Sequence, residues 1–412
     1  MIARFFATAL LTGLVFASMP AAAQPSPEAM LRNMDADRNG KISRKEWRGP
    51  AKGFDRLDAN RDGALTPVEL QSASGVGQSR ATTSTTRIPL VDVHVHIHGH
   101  PSGSVQDRME LDYAGAANLA IAQMDENNVR TSIAMVPPGK HVGRFDDQGL
   151  LAQARRFPGR IAVLTGGGTL NPIIHTTAAD AVSDEIRRDF EDKAESALQA
   201  GAIGFGEMSA LHMSYFPQHP FEEVHPDHPL FLLLADIAAR RDVPIDLHTE
   251  IVPEDMAVPG KLRAASNNNP LQVKANLADF ERLLAHNARA RIILSHSADA
   301  TGARKASLMR RLFERYPNLL MSLNVLPAFP FIENLPLRGA GDIKPDWLQL
   351  IKDFPDRFMI GSDQFYTPQC PTCEKRNSAT PSLRWLELLP ADIARKVAIE
   401  NPQRVFKITA AR

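Results

Sequence analysis

Two histidines separated by one residue are the first sign of chemistry in this chain, in the run Asp92-Val93-His94-Val95-His96. Residues i and i+2 of a strand lie on one face, so an extended run points His94 and His96 the same way. Three more apolar runs each lead into a residue of metal-ligand type: 243–247 into His248, 292–295 into His296, and 358–362 into Asp363. An isolated H-x-H fits two surface histidines, and a lone strand-end histidine fits a hydrogen-bonded core residue. Five such residues at matching positions point instead to a metal centre. Imidazole and carboxylate donors suit zinc first, with manganese and iron as alternatives. A bound ion of this kind lowers the pKa of water to about 7, which makes hydrolysis the expected chemistry.

Residues so far apart in the chain need a scaffold that gathers strand ends. Eight short apolar runs recur, at 90–96, 131–136, 161–165, 202–207, 243–248, 292–296, 319–325 and 358–363. Continuous apolar runs are the mark of strands buried on both faces. Between them lie stretches with helical spacing: Leu230, Leu233, Leu234 and Ile237; Leu277, Phe280, Leu283 and Leu284; Leu308, Leu312, Phe313 and Tyr316. Strands alternating with helices predict βα units and a parallel sheet. The expected fold is α/β, a (β/α)8 TIM barrel over residues 87–412, with its chemistry at the C-terminal ends of the strands. An open doubly wound sheet is the alternative, but no glycine-rich dinucleotide fingerprint follows the first strand.

On residues 92–96, His248, His296 and Asp363, the region from 87 to about 407 resembles the amidohydrolase superfamily. The segments LLADIAARRDVPIDLHTE and DFERLLAHNARARIILSHSADATG also look like its metal-dependent hydrolases of the amidohydrolase-2 and phosphotriesterase-like kinds. The resemblance implies that His94, His96 and Asp363 hold one divalent ion. His248 and His296 then hold a second, or orient substrate if only one ion is bound. It also implies that Asp92 hydrogen-bonds a ligand histidine, and that Asp363 shuttles a proton. Many members place a carboxylated lysine on the fourth strand to bridge two ions. Here that strand is expected to end in Glu207, which either bridges or makes an ion pair at the barrel mouth. The implied reaction is attack of metal-activated water on an ester, lactone, amide or phosphoester bond of a small-molecule substrate. The alternatives are a mononuclear decarboxylase and a non-catalytic calcium-dependent binding protein. His98, His100 and His212 read as polar loop residues near the pocket, and Lys261 and Arg263 as solvated.

Ahead of the barrel, residues 24–70 hold two loops rich in oxygen donors. In the first, Asp35, Asp37, Asn39, the Lys41 carbonyl, Ser43 and Glu46 fall at EF-hand ligand positions, with Gly40 at the turn. In the second, Asp58, Asn60, Asp62, the Ala64 carbonyl, Thr66 and Glu69 do the same, with Gly63 at the turn. A small all-α pair of calcium-binding EF hands is expected. Its compact spacing resembles the dockerin module, which raises protein docking as a role. Ser43 with Glu46 also matches a helix capping box. Residues 71–86, rich in Ser, Thr and Gly, read as a flexible linker.

Residues 1–23 read as a signal peptide, with Arg4, an apolar run over 5–19 and small residues Ala21-Ala22-Ala23 before Gln24. Export to the periplasm or medium is expected. Cys370 and Cys373, the chain's 2 cysteines, are then expected to form a local disulfide. Lys plus Arg and Asp plus Glu both number 47, so the formal net charge is zero. That balance gives no electrostatic reason to expect nucleic acid or an anionic membrane as partner.

Overall fold

The computed structural model describes residues 33–37, 41–49, 54, 57–58, 63–65, 70, 88–99, 111–139, 147–217, 219–296, 300–324, 337–338, 342–368 and 379–409. The signal segment, the linker 71–86, Asn39, Gly40, Asn60, Asp62, Thr66, Glu69, His100, Cys370 and Cys373 lie outside these residues. The chain divides into two compact units, Met1–Thr85 and Thr86–Arg412. Among the described residues no helix is long and apolar enough to cross a membrane.

In the first unit Ile42, Phe54, Leu65 and Leu70 are buried together, with Met34, Trp47 and Leu57 packed against them. A two-residue antiparallel pairing, Ile42 with Leu65 and Ser43 with Ala64, ties the two loops side by side. The Glu46 carboxylate accepts the main-chain N–H groups of Ala36, Asp37 and Ser43 and the Ser43 hydroxyl. The contact with Ser43 N–H is the capping-box bond read from the sequence. Asp35, Asp37 and Glu46 bring ligand oxygens within 4.8 Å of one another. Asp58 accepts from the Gly63 N–H at 3.0 Å.

The second unit is a parallel barrel. Its strands are β1 (Leu90–His96), β2 (Val129–Ala134), β3 in two pieces (Ile161–Val163 and Thr165–Gly166), β4 (Phe205–Ser209), β5 (Pro244–His248), β6 (Arg291–Leu294), β7 (Leu319–Leu323) and β8 (Phe358–Ile360). Each pairs in parallel with its sequence neighbour, and β8 pairs with β1. The first piece of β3 pairs with β2 and the second with β4, so the ring closes through the break in that strand. The strands depart from the apolar runs at their ends. The fourth begins at Phe205 and continues past Glu207 to Ser209, so Glu207 lies within the strand rather than at its end. The sixth and eighth stop short of His296 and Asp363.

Helices form where the periodic apolar residues stand. The helix α1 (Pro229–Arg241) starts with the His228 side chain accepting the Leu230 N–H and Pro229 in its first turn, and ends at Asp242 in the left-handed region. Proline there gives up an N–H that would have no partner. Leu230, Leu233, Leu234 and Ile237 are all buried against the sheet. Each such side chain contributes roughly 1.5–3 kcal/mol. Phe280, Leu283 and Leu284 of α2 (Leu277–His286), and Leu308, Leu312 and Phe313 of α3 (Ala306–Arg315), join the same core, while Leu277 is half-buried. A separate cluster joins Val91, Ile133, Ile293, Leu320 and Met359 of five strands, and Leu164 at the break in β3, to Val405 and Phe406 of the last helix.

Candidate metal centre

All six residues proposed as metal ligands meet at the C-terminal end of the barrel. His94 and His96 come from β1, Glu207 from β4 and His248 from β5, while His296 and Asp363 follow β6 and β8. His94, His96, Glu207, His248 and His296 are buried. The Asp363 side chain keeps 20% exposure, so the site opens to solvent on its side. His296 and Asp363 have φ of 25° and 55°. Left-handed backbone is uncommon for non-glycine residues, and least so for Asp and Asn. Here it lies just past the strand ends, and the Asp363 N–H donates to the His94 carbonyl at 2.9 Å.

Glu207 stands between two groups of donors. Its Oε2 is 3.6 Å from His94 Nε2 and 3.6 Å from His96 Nε2. Its Oε1 is 2.9 Å from His248 Nδ1 and 3.5 Å from His296 Nε2. On the first side an Asp363 oxygen lies 3.2 Å from His96 Nε2 and 3.9 Å from His94 Nε2. Bonds of about 2.0–2.2 Å to one ion put its ligand atoms roughly 3–4 Å apart, so these spacings fit an ion. His94 Nε2, fully buried, has no hydrogen-bond partner, which also fits a place for a metal.

The ring orientations agree. His96 Nδ1 lies 3.1 Å from the Met135 carbonyl, which can only accept, so Nδ1 carries the proton and Nε2 faces the site. His94 packs edge-on against His96 and His296, with centroids 5.1 and 4.7 Å apart. Burial alone would raise the Glu207 carboxyl, but His94, His248 and His296 outweigh it and hold its pKa well below the ordinary range. Burial likewise opposes ionisation of Asp363, and the imidazoles of His296, His96 and His94 still hold its pKa low. Both groups are carboxylates at neutral pH, the form that binds cations.

Two residues stand differently from their sequence reading. Asp92 hydrogen-bonds the expected ligand residue His94 through its main chain and not its ring: its Oδ1 accepts the main-chain N–H of Ser362 at 2.9 Å and of His94 at 3.4 Å. It braces β1 against the turn that carries Asp363. The carboxylate beside a ligand ring is Asp246, whose Oδ1 lies 3.2 Å from His94 Nδ1. Asp246 precedes His248 by two residues on β5 and so shares its face, a signal present in the sequence. His212, expected as a polar loop residue near the pocket, is buried and paired across a short hairpin with Glu222, with its ring 4.3 Å from that of His248. His98 is buried beside Phe365. Lys261 is exposed and Arg263 half-buried on a short helix.

The sequence profile described as amidohydrolase matches residues 91–408, and the EF-hand profile matches residues 28–49 and 51–73. Among curated proteins a transaldolase of Thermosynechococcus vestitus is 43% identical over 49 residues, so the chain spans 12% of that relative's length. Similar solved structures include a probable 2-pyrone-4,6-dicarboxylic acid hydrolase of Acinetobacter baumannii, at 13% identity, 77% of this chain, 99% of that one and a TM-score of 0.44. A 5-carboxyvanillate decarboxylase of Sphingomonas paucimobilis matches at 14%, 78%, 100% and 0.43. A dihydroorotase of Campylobacter jejuni matches at 10%, 79%, 85% and 0.43.

Proposed function

This chain belongs to the amidohydrolase family, and from that premise we propose that it is a metal-dependent hydrolase acting on an ester, lactone, amide or phosphoester bond. The observation that carries the reading is the two-sided contact of Glu207. His94, His96 and Asp363 would hold one divalent ion together with Oε2. His248 and His296 would hold a second with Oε1. Two neighbouring cations repel, and a carboxylate between them offsets that repulsion. Zinc suits these donors best, with manganese and iron as alternatives. When bound, the ions would supply Lewis acidity and a water that ionises near neutral pH.

Asp363 reaches the solvent-open side of the site as a carboxylate. It accepts a proton from the attacking water and hands it to the leaving group. Glu207, buried among imidazoles, keeps its charge and holds the two sets of donors in register. The EF-hand pair binds calcium apart from this chemistry, and the chain acts after export.

The test is a panel of lactones, amides and phosphoesters, offered to metal-reconstituted protein in ¹⁸O-labelled water. Hydrolysis places labelled oxygen in the product. An aromatic carboxylic acid added to the panel that loses CO₂, with no labelled oxygen in the remaining organic product, would identify a decarboxylase instead. Failure to bind any transition metal would favour a calcium-dependent binding protein with a non-catalytic barrel.

A further inference from the structure

Asp246 is a buried acid beside the site that the proposed reaction leaves without a role. It is fully buried on β5, and the Ser295 hydroxyl donates to its Oδ1. The same oxygen lies 3.2 Å from Nδ1 of His94, itself fully buried. The approach is too oblique for a well-formed hydrogen bond, so the pair acts chiefly through charge. Charge at that distance in a dry interior acts strongly.

Two glycines make room for this pair. A Cβ on Gly206 would stand 2.8 Å from the Asp246 Cβ, and one on Gly361 would stand 2.7 Å from the His94 Cβ. Side chains at either place would force the pair apart. Nothing equivalent backs the other side of the site. Among the described residues, Glu207 is the one carboxylate within 4.0 Å of the ring nitrogens of His248 and His296.

We infer that Asp246, held by Ser295, is a positioning residue that makes the two ion positions unequal, the His94–His96–Asp363 position being the tighter. The carboxylate keeps the proton of His94 on Nδ1, which leaves the Nε2 lone pair for the ion. It also lends the ring negative charge, which strengthens it as a donor. The imidazoles of the second position get no such support beyond the shared Glu207. This inference rests on the metal reading of the site.

Zinc titration of the full-length metal-free protein against a competing chelator tests it. The wild type should bind one ion tightly and one more weakly. Asp246→Ala should weaken the tight ion roughly 10–100-fold, the usual effect of losing a carboxylate behind a ligand histidine, and leave the weaker ion unchanged. Asp246→Asn, which keeps the shape and one accepting oxygen, should fall between, and Ser295→Ala should shift it in the same direction by less. Thermal unfolding of the metal-free variants guards against misfolding. Independently of any variant, long-range ¹H–¹⁵N correlation of the zinc-loaded wild type should place the His94 proton on Nδ1. Equal affinities at the two positions, unchanged tight binding in folded Asp246→Ala, or a proton on Nε2 would overturn the inference. A wild type that binds no zinc would overturn the metal reading itself, and the inference with it.

Discussion

Asp363 carries two demands at one position. On the proposed reading it holds an ion beside His96 and His94 and also takes up and releases a proton. Its side chain is the most exposed of the six metal-ligand candidates, at 20%. Asp363→Asn keeps the shape and one oxygen donor but cannot shuttle a proton. Turnover should fall by roughly 10²–10⁴, the share general acid–base catalysis usually supplies. Metal content, measured by elemental analysis, should fall far less. Equal loss of both would reduce Asp363 to a ligand. The candidate ligand set could be listed from residue types because each stood beside an apolar run. Asp246 is hard to see in the sequence because an acid inside such a run looks like an interruption, although its two-residue offset from His248 puts both on one face. The orientation of Asp92 could not be read, since its partner, the Ser362 N–H, is 270 positions away in the chain.

At the scale of elements, strand position and glycine placement decide whether the ligands meet. The pattern of eight runs was enough to foresee a parallel sheet buried on both faces, and the lack of a glycine-rich fingerprint after the first strand favoured the barrel over the open sheet. Their ends were not legible. The Ala202-Ile203-Gly204 run reads as strand, yet β4 starts at Phe205. A Cβ on Gly204 would sit 2.6 Å from the Pro244 carbonyl, so the chain there passes close to β5. Hydrophobic pattern carries no information about such a close approach. The same close packing gives a prediction for β8 and the turn after it. Gly361→Ala would bring a Cβ against His94 and within 3.1 Å of the Ser322 Cβ. Overpacking of this kind costs about 1–3 kcal/mol, readable in denaturant unfolding. Zinc affinity should fall in the same variant, because His94 must move. Undiminished stability and affinity would show that the interior yields more easily than the packing implies.

At the scale of the molecule, every proposed transition-metal ligand lies in the unit Thr86–Arg412, and every calcium-ligand candidate lies in Met1–Thr85. Removal of residues 1–86 should therefore leave zinc binding and turnover intact. Calcium should bind the full chain weakly, with Kd on the order of 10⁻⁴ to 10⁻³ M as in extracellular modules, by calorimetric titration. Loss of turnover on truncation or on calcium chelation would couple the two units. The central claim concerns the barrel alone: a two-ion centre bridged by Glu207. Elemental analysis of reconstituted wild type and Glu207→Gln tests it most directly. Gln keeps the shape but removes the charge between the two sets of donors. The expected result is close to two transition-metal ions per chain in the wild type and close to one in the variant, retained by His94, His96 and Asp363. One ion per chain in both proteins would contradict the bridge and leave a mononuclear site.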